Sequence, residues 1–231
     1  MPPASRIVLL LVIAIFGCSG VEFVAPRVVE MDPADYDESR LIAYRTLERA
    51  DFCAATPPDG MDSGRVAAVT AALIRTANVT FSIESTTSGE FMASADHLRF
   101  EARMSQNHSW WNPRHAHVDG QLLEHEQVHF AFAELAARRA NARIEAIRAR
   151  IRSVARTPDA AMRRAAERLQ QEVDRVQDEV AARNAEFDRE TVNGQLLEHN
   201  HRWYVQIQRE LERSRMDYLA ASRDRAAHHA R

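Results

Sequence analysis

Apolar positions change their period along the chain, and the changes mark its elements. Residues 7–16 are one unbroken apolar run. Between residues 41 and 112 the period is close to two. Val79, Phe81 and Ile83 alternate with polar neighbours, as do Leu98, Phe100 and Ala102 within residues 91–104. Alternation of this kind predicts half-buried strands. Residues 67–75 are apolar on both faces and fit a strand or a helix equally well. Thr56-Pro57-Pro58-Asp59-Gly60 and Ser88-Gly89 are turn sequences. Together these predict a small antiparallel sheet.

From about residue 119 the period becomes helical. Ile144, Ile147, Ile151 and Val154 form one stripe, and Leu169, Val173, Val176 and Val180 another. Thr157-Pro158 separates them, with Thr as N-cap and Pro at the first helical position. Two such stripes around one tight break predict an antiparallel helical hairpin. Both arms rise at the same rate. Mirroring residues 125 and 129 through a turn at 157 therefore brings residues 189 and 185 to the same height. Leu196, Trp203, Ile207 and Leu211 are the stripe of a third helix, and from about Ser222 the chain reads as a frayed tail.

The first arm carries Leu122-Leu123-Glu124-His125-Glu126-Gln127-Val128-His129-Phe130. Helix positions four apart share a face, so His125 and His129 can aim their imidazoles at one metal ion. Glu126 beside them can act as general base toward water. The plain alternative is two helix histidines flanking a surface glutamate. Val128, Ala131, Phe132, Ala133 and Leu135 make the helix apolar nearly all round. Such a helix is buried, and buried His and Glu need partners.

Composition changes the picture in three places. The ten apolar residues at 7–16 follow Arg6 and end in Gly17-Cys18. They are too short to span a bilayer comfortably and fit a signal peptide. The end resembles a bacterial lipobox, which makes Cys18 the expected lipidated N-terminus of an exported protein, with periplasm or outer membrane as its location. Residues 19–40, acidic with a Pro, are the expected linker and 41–220 the domain, with its sheet part at 41–112 and its helical part at 119–220. Cys53 is then the one remaining cysteine, without an intrachain partner, and is read as a small core residue. Net charge is −3 across 231 residues, which gives no electrostatic case for nucleic acid. Trp110 and Trp111 are expected to pack the sheet on the helices, and His115 and His117 to lie at the surface.

The chain resembles a bacterial family described as predicted secreted zinc-dependent proteases. The resemblance runs from Tyr44-Arg45-Thr46-Leu47 and Asp51-Phe52 through Ser109-Trp110. It is strongest at residues 122–130, continues at Ala137-Arg138 and closes with Phe187-Asp188-Arg189-Glu190-Thr191-Val192-Asn193-Gly194 and Trp203. It implies an α+β fold: a small antiparallel sheet region, then a zincin-like active-site helix continuing into a long antiparallel helical hairpin and a third helix. It also implies zinc as cofactor and a peptide or protein substrate in the cell envelope. The family pattern has His where this chain has Asn193, and an amide is a poor zinc ligand. Gly120-Gln121-Leu122-Leu123-Glu124-His125 recurs as Gly194-Gln195-Leu196-Leu197-Glu198-His199, which makes His199 the expected third ligand. His201, a carboxylate at Glu190 or Asp188, or no third ligand are the alternatives. The expected activity is peptide hydrolysis by a metal-activated water. The alternatives are an inactive, metalloprotease-like scaffold lipoprotein and, less well matched to the strand region, a helical spacer.

Overall fold

The computed structural model describes residues 7–15, 27–31, 37–58, 66–114 and 119–229. It is an α+β fold: a seven-stranded antiparallel sheet with four helices. The sheet is organised by one long hairpin, β4 (Val66–Ser85) and β5 (Phe91–Ser105). Residues 66–74 are strand rather than helix. The hairpin closes on Thr86–Glu90, where Gly89 has φ +79° and its N–H donates to the Thr86 carbonyl. The pairing runs from Ser85↔Phe91 to Ala72↔Met104, with a bulge between Ala77 and Phe81. That bulge interrupts the simple alternation expected at 79–83, and Ile83, near the hairpin tip, is 40% exposed.

Shorter strands are laid on this hairpin. β3 (Leu41–Ala43) pairs with the end of β5, and β6 (Trp110–Trp111) pairs with Val69 and Ala68 of β4. β1 (Ile7–Ile15) pairs with β4 over Leu10–Ile15, and β2 (Arg27–Met31) flanks β1. The run read as a signal peptide is thus a strand in this chain, and part of the expected linker is another. Branched apolar residues suit a strand as well as a leader. Cys18 lies outside the described residues, as do His115 and His117.

The helical layer departs from the expected hairpin at one point. α1 (Asp119–Ala142) breaks at Arg143, and α2 (Ile144–Ile151) leads into β7 (Ser153–Ala155). β7 pairs with Phe91–Ala93 of β5. Val154 therefore leaves the helical stripe and is exposed, while Ile147 and Ile151 stay in the core. Thr157 caps α3 (Pro158–Thr191), accepting from the Ala160 N–H at 3.3 Å. α4 (Leu197–His229) runs helical through the expected tail. Among the described residues, no helix is long and apolar enough to cross a membrane.

Phe130, Phe132, Phe187, Met104 and Ile207 fill the interface between sheet and helices. Trp111 joins that core, edge-on to Phe52 at 5.1 Å, whereas Trp110 packs on the opposite face with Val69, Ala71 and Leu73. The expectation for the tryptophans thus holds for Trp111 and not for Trp110, because consecutive strand residues point to opposite faces. Cys53 is exposed, its thiol turned to the Ala50 carbonyl; it sits in a loop, not in the core. Gln127 ties that loop region to α1, accepting from Leu47 N–H at 2.7 Å and donating to the Arg45 carbonyl at 3.2 Å.

β5 has a gap on its outer edge between its pairings with β7 and β3. Asn141 of α1 fills it. Its Oδ1 accepts from Phe100 N–H at 2.9 Å and its Nδ2 donates to the Phe100 carbonyl at 2.8 Å. An amide side chain here replaces a missing strand and saves two backbone groups from burial without partners. Asn141→Ala is expected to cost roughly 2–4 kcal/mol in urea unfolding, since both Phe100 groups lose their partner. A loss under about 0.5 kcal/mol, the level of an ordinary surface change, would show that Asn141 does not close the edge.

Candidate metal centre

α1 carries His125, Glu126 and His129 on the turn that faces the sheet and α3. All three have zero solvent exposure, as does Asp188 of α3. His125 Nε2 lies 3.0 Å from His129 Nε2. Asp188 Oδ1 is 3.4 Å from the first and 3.2 Å from the second. These three side chains form a group able to hold a metal ion.

The remote ring nitrogens fix the tautomers. His125 Nδ1 meets Asn200 Oδ1 at 2.9 Å, and His129 Nδ1 meets Asn184 Oδ1 at 2.6 Å. The amide nitrogen of Asn200 faces Glu124 Oε1 at 3.5 Å, which orients its oxygen toward His125. An amide oxygen only accepts, so each Nδ1 carries the proton and each Nε2 of a neutral ring presents a lone pair. Two lone pairs and a carboxylate oxygen converge at distances of 3.0 to 3.4 Å. Three acceptors meeting in a dry core repel one another unless a cation lies among them. Both oxygens of Asp188 and both of Glu126 also lack a hydrogen-bond partner of good geometry, so the donor set fits a cation on chemistry as well as spacing.

Local sequence explains how the helices hold this arrangement. Asn184 and Asp188 are four apart on α3, opposite His125 and His129 four apart on α1, so matching turns of antiparallel helices meet. Phe187 wedges between them, stacked on His125 at 4.6 Å and edge-on to His129 at 4.9 Å. α3 then ends in a left-handed turn, with φ of 53° at Val192, 53° at Asn193 and 86° at Gly194. A branched residue such as Val192 is strained there. Asn193 N–H to the Asp188 carbonyl at 2.7 Å and Gly194 N–H to Thr191 Oγ1 at 3.1 Å hold the turn. Gly194 is required: a Cβ there would lie 3.0 Å from His125 Nδ1. The turn starts α4 so that Asn200 reaches His125.

The expected third ligand His199 is not in the group. It precedes Asn200 on α4 and is partly exposed, and the buried face of that turn belongs to Asn200. His201 is exposed and turned to Glu124 at 3.3 Å. Of the carboxylate alternatives, Glu190 accepts from Trp203 Nε1, and Asp188 is the one that meets both imidazoles. Asn193 is buried but is not needed as a ligand once Asp188 supplies the oxygen. Asn184 and Asn200 were not singled out from sequence; Asn184 continues the Leu169–Val180 stripe of α3, and a polar residue at that buried position is a signal that could have found it.

Burial pushes the Glu126 carboxyl up to about 7, and Asp188 adds to the rise, while His125 and the hydroxyl and N–H of Thr70 on β4 pull it back. Burial also works to raise Asp188, but a proton on Nε2 of His129 or His125 supplies charge and a hydrogen bond that outweigh it, and this holds the carboxyl below its ordinary value. No protein family, curated protein or solved structure matches this chain.

Removing the amide oxygen behind either imidazole, by Asn184→Ala or Asn200→Ala, is expected to weaken metal binding about 10–100-fold, read by competition with a chelating dye. Glu126 has a folded value of about 7 against an ordinary 4.5. For a group raised in the folded state, stability is full below the lower value and is lost as pH rises through the higher one. In metal-free protein, Glu126→Gln should therefore be neutral near pH 4.5 and stabilising by about 3 kcal/mol above pH 7. A variant-to-parent difference in thermal melts that is flat across that range would show that Glu126 does not ionise at this cost.

Proposed function

We propose that this protein is a zinc-dependent peptidase with His125, His129 and Asp188 as metal ligands and Glu126 as general base. The observation that carries the proposal is the convergence of two Nε2 lone pairs and one carboxylate oxygen beside an unpartnered glutamate. A tetrahedral zinc with bonds of about 2.0–2.1 Å separates its ligands by about 3.3–3.4 Å. The separations here are 3.4 Å, at that edge, and 3.2 and 3.0 Å, a few tenths of an ångström inside it. Three protein ligands leave a fourth position open, as catalytic rather than structural zinc sites do.

Zinc at such a site supplies a Lewis acid for the substrate carbonyl and lowers the pKa of water. The chain's own groups do the rest. Asn184 and Asn200 hold the two imidazoles in the tautomer that presents Nε2. Glu126, fully buried next to His125 with neither oxygen partnered, is placed to take a proton from attacking water and to return it to the leaving amine. The likeness of residues 122–130 and 187–194 to the secreted protease family supports the same reading. The lipobox-like end at Cys18 supports an exported, lipid-anchored protein in the cell envelope.

Complete burial of the ligands favours one rival: a non-catalytic envelope scaffold in which the ion pins α1 to α3. Zinc-loaded protein separates the two. About one zinc per chain is expected, lost in His129→Ala and Asp188→Ala. Glu126→Gln should keep the zinc while peptide hydrolysis falls at least about 100-fold. Full activity in Glu126→Gln would remove Glu126 from the mechanism, and absence of zinc under zinc-replete conditions would remove the metal.

A further inference from the structure

A peptidase centre with zero exposure needs a way in, and the strands beside it show what closes it. α1 packs across β4, and Thr70 of β4 is the strand residue beside the Glu126 carboxylate. Thr70 Oγ1 and both Glu126 oxygens are buried without a partner of good geometry. The strand residue in register with Thr70 is Val12 of β1. β1 pairs with Val66–Ala72 of β4 and also lies against α1 and α3, the two helices that carry the ligands. With β1 in place, every residue from Val66 to Ala72 is at most 4% exposed. β2 covers β1 over Ile7–Leu11, so among the described residues Val12–Ile15 is held laterally by β4.

We propose that the edge of β4 from Val66 to Ala72 is the seat for an extended apolar peptide, and that in this chain Ile7–Ile15 occupies it and keeps the metal centre shut. This rests on the peptidase reading and names its substrate class. A strand added to a sheet edge is held by main-chain hydrogen bonds, with side-chain pockets setting preference. The β4 edge offers Val66, Ala67, Ala68, Val69, Ala71 and Ala72, apolar on both faces and mostly small, which leaves room for bulky apolar side chains on a strand beside it. A peptide seated there passes Thr70 and therefore Glu126. The same residues read as an export leader, so removing them on export would open the seat where substrate is met, and the chain that keeps them is latent.

The test uses the full chain carrying Glu126→Gln, so that no readout depends on hydrolysis. Leu11→Pro with Val12→Pro removes a ladder donor toward β4 whichever way the strand faces, because adjacent N–H groups point to opposite edges. Amide exchange of residues 66–72, read by mass spectrometry, should rise at least about tenfold. Removal of zinc by a chelator should accelerate by a similar factor, with one zinc per chain still bound at equilibrium. A fluorescein-labelled peptide of residues 7–15, flanked by arginines for solubility, should bind the double-proline chain and not its parent. The same peptide with both prolines should bind neither. If the double-proline variant loses its helical signal, the parent can be cut at a protease recognition sequence introduced at residues 20–25. Displacement of the strand by the labelled peptide then reads the same seat. Unchanged exchange and unchanged zinc release in a folded, strand-broken chain, or peptide binding that ignores the prolines, overturns the proposal. Failure of the strand-broken, zinc-loaded chain with Glu126 restored to hydrolyse peptide, with these readouts as expected, would instead remove the peptidase reading and leave the seat.

Discussion

The structure depends on three acceptors forced together in a dry core. His125 Nε2, His129 Nε2 and Asp188 Oδ1 stand 3.0 to 3.4 Å apart with no solvent exposure. Water would relieve such crowding by donating hydrogen bonds, but the sheet, α3 and α4 exclude it. A metal ion, or a proton on one imidazole, relieves that crowding, and the binding energy of an ion held there would become folding energy. The rest of the helical layer can be read as apparatus for this one contact. Thr157-Pro158 starts α3 at a defined point, its length returns Asp188 to the height of the histidines, and the strained turn at Val192–Gly194 delivers Asn200 behind His125.

Much of this was legible in the chain. The i, i+4 spacing of His125 and His129 in an apolar helix gave the metal face, and mirroring through Thr157 pointed to 185–189, the stretch that holds Asp188. The mirror worked although the first arm is not continuous. α2 and β7 interrupt it, yet Pro158 still sets where the return begins. The choice of His199 failed because a repeated hexapeptide carries no information about which face of α4 turns inward. Helix packing decides that, and it buries Asn200. Asn184 and Asn200 escaped for the same reason: what stands behind an imidazole depends on crossing angle and on the αL turn, neither of which has a sequence period. At the other end, residues 7–15 fit two descriptions, because a leader and a buried strand ask for the same branched apolar residues.

Asp188 in place of a third imidazole also changes the charge balance of the buried group. Without metal, the two neutral imidazoles leave Asp188 as the local charge. A second carboxylate nearby is then costly, which is part of why Glu126 is pushed to about 7. A divalent ion beside an ionised Asp188 leaves one positive charge, and ionised Glu126 brings the sum to zero. A neutral sum is what a dry core tolerates. Metal binding and Glu126 ionisation are therefore coupled: the ion makes the base available, and the base completes the neutralisation of the ion. With three imidazoles the same ion would leave a net positive charge after Glu126 ionised. The carboxylate thus suits a fully buried group, since a divalent ion held there with Glu126 ionised would carry no net charge into the core.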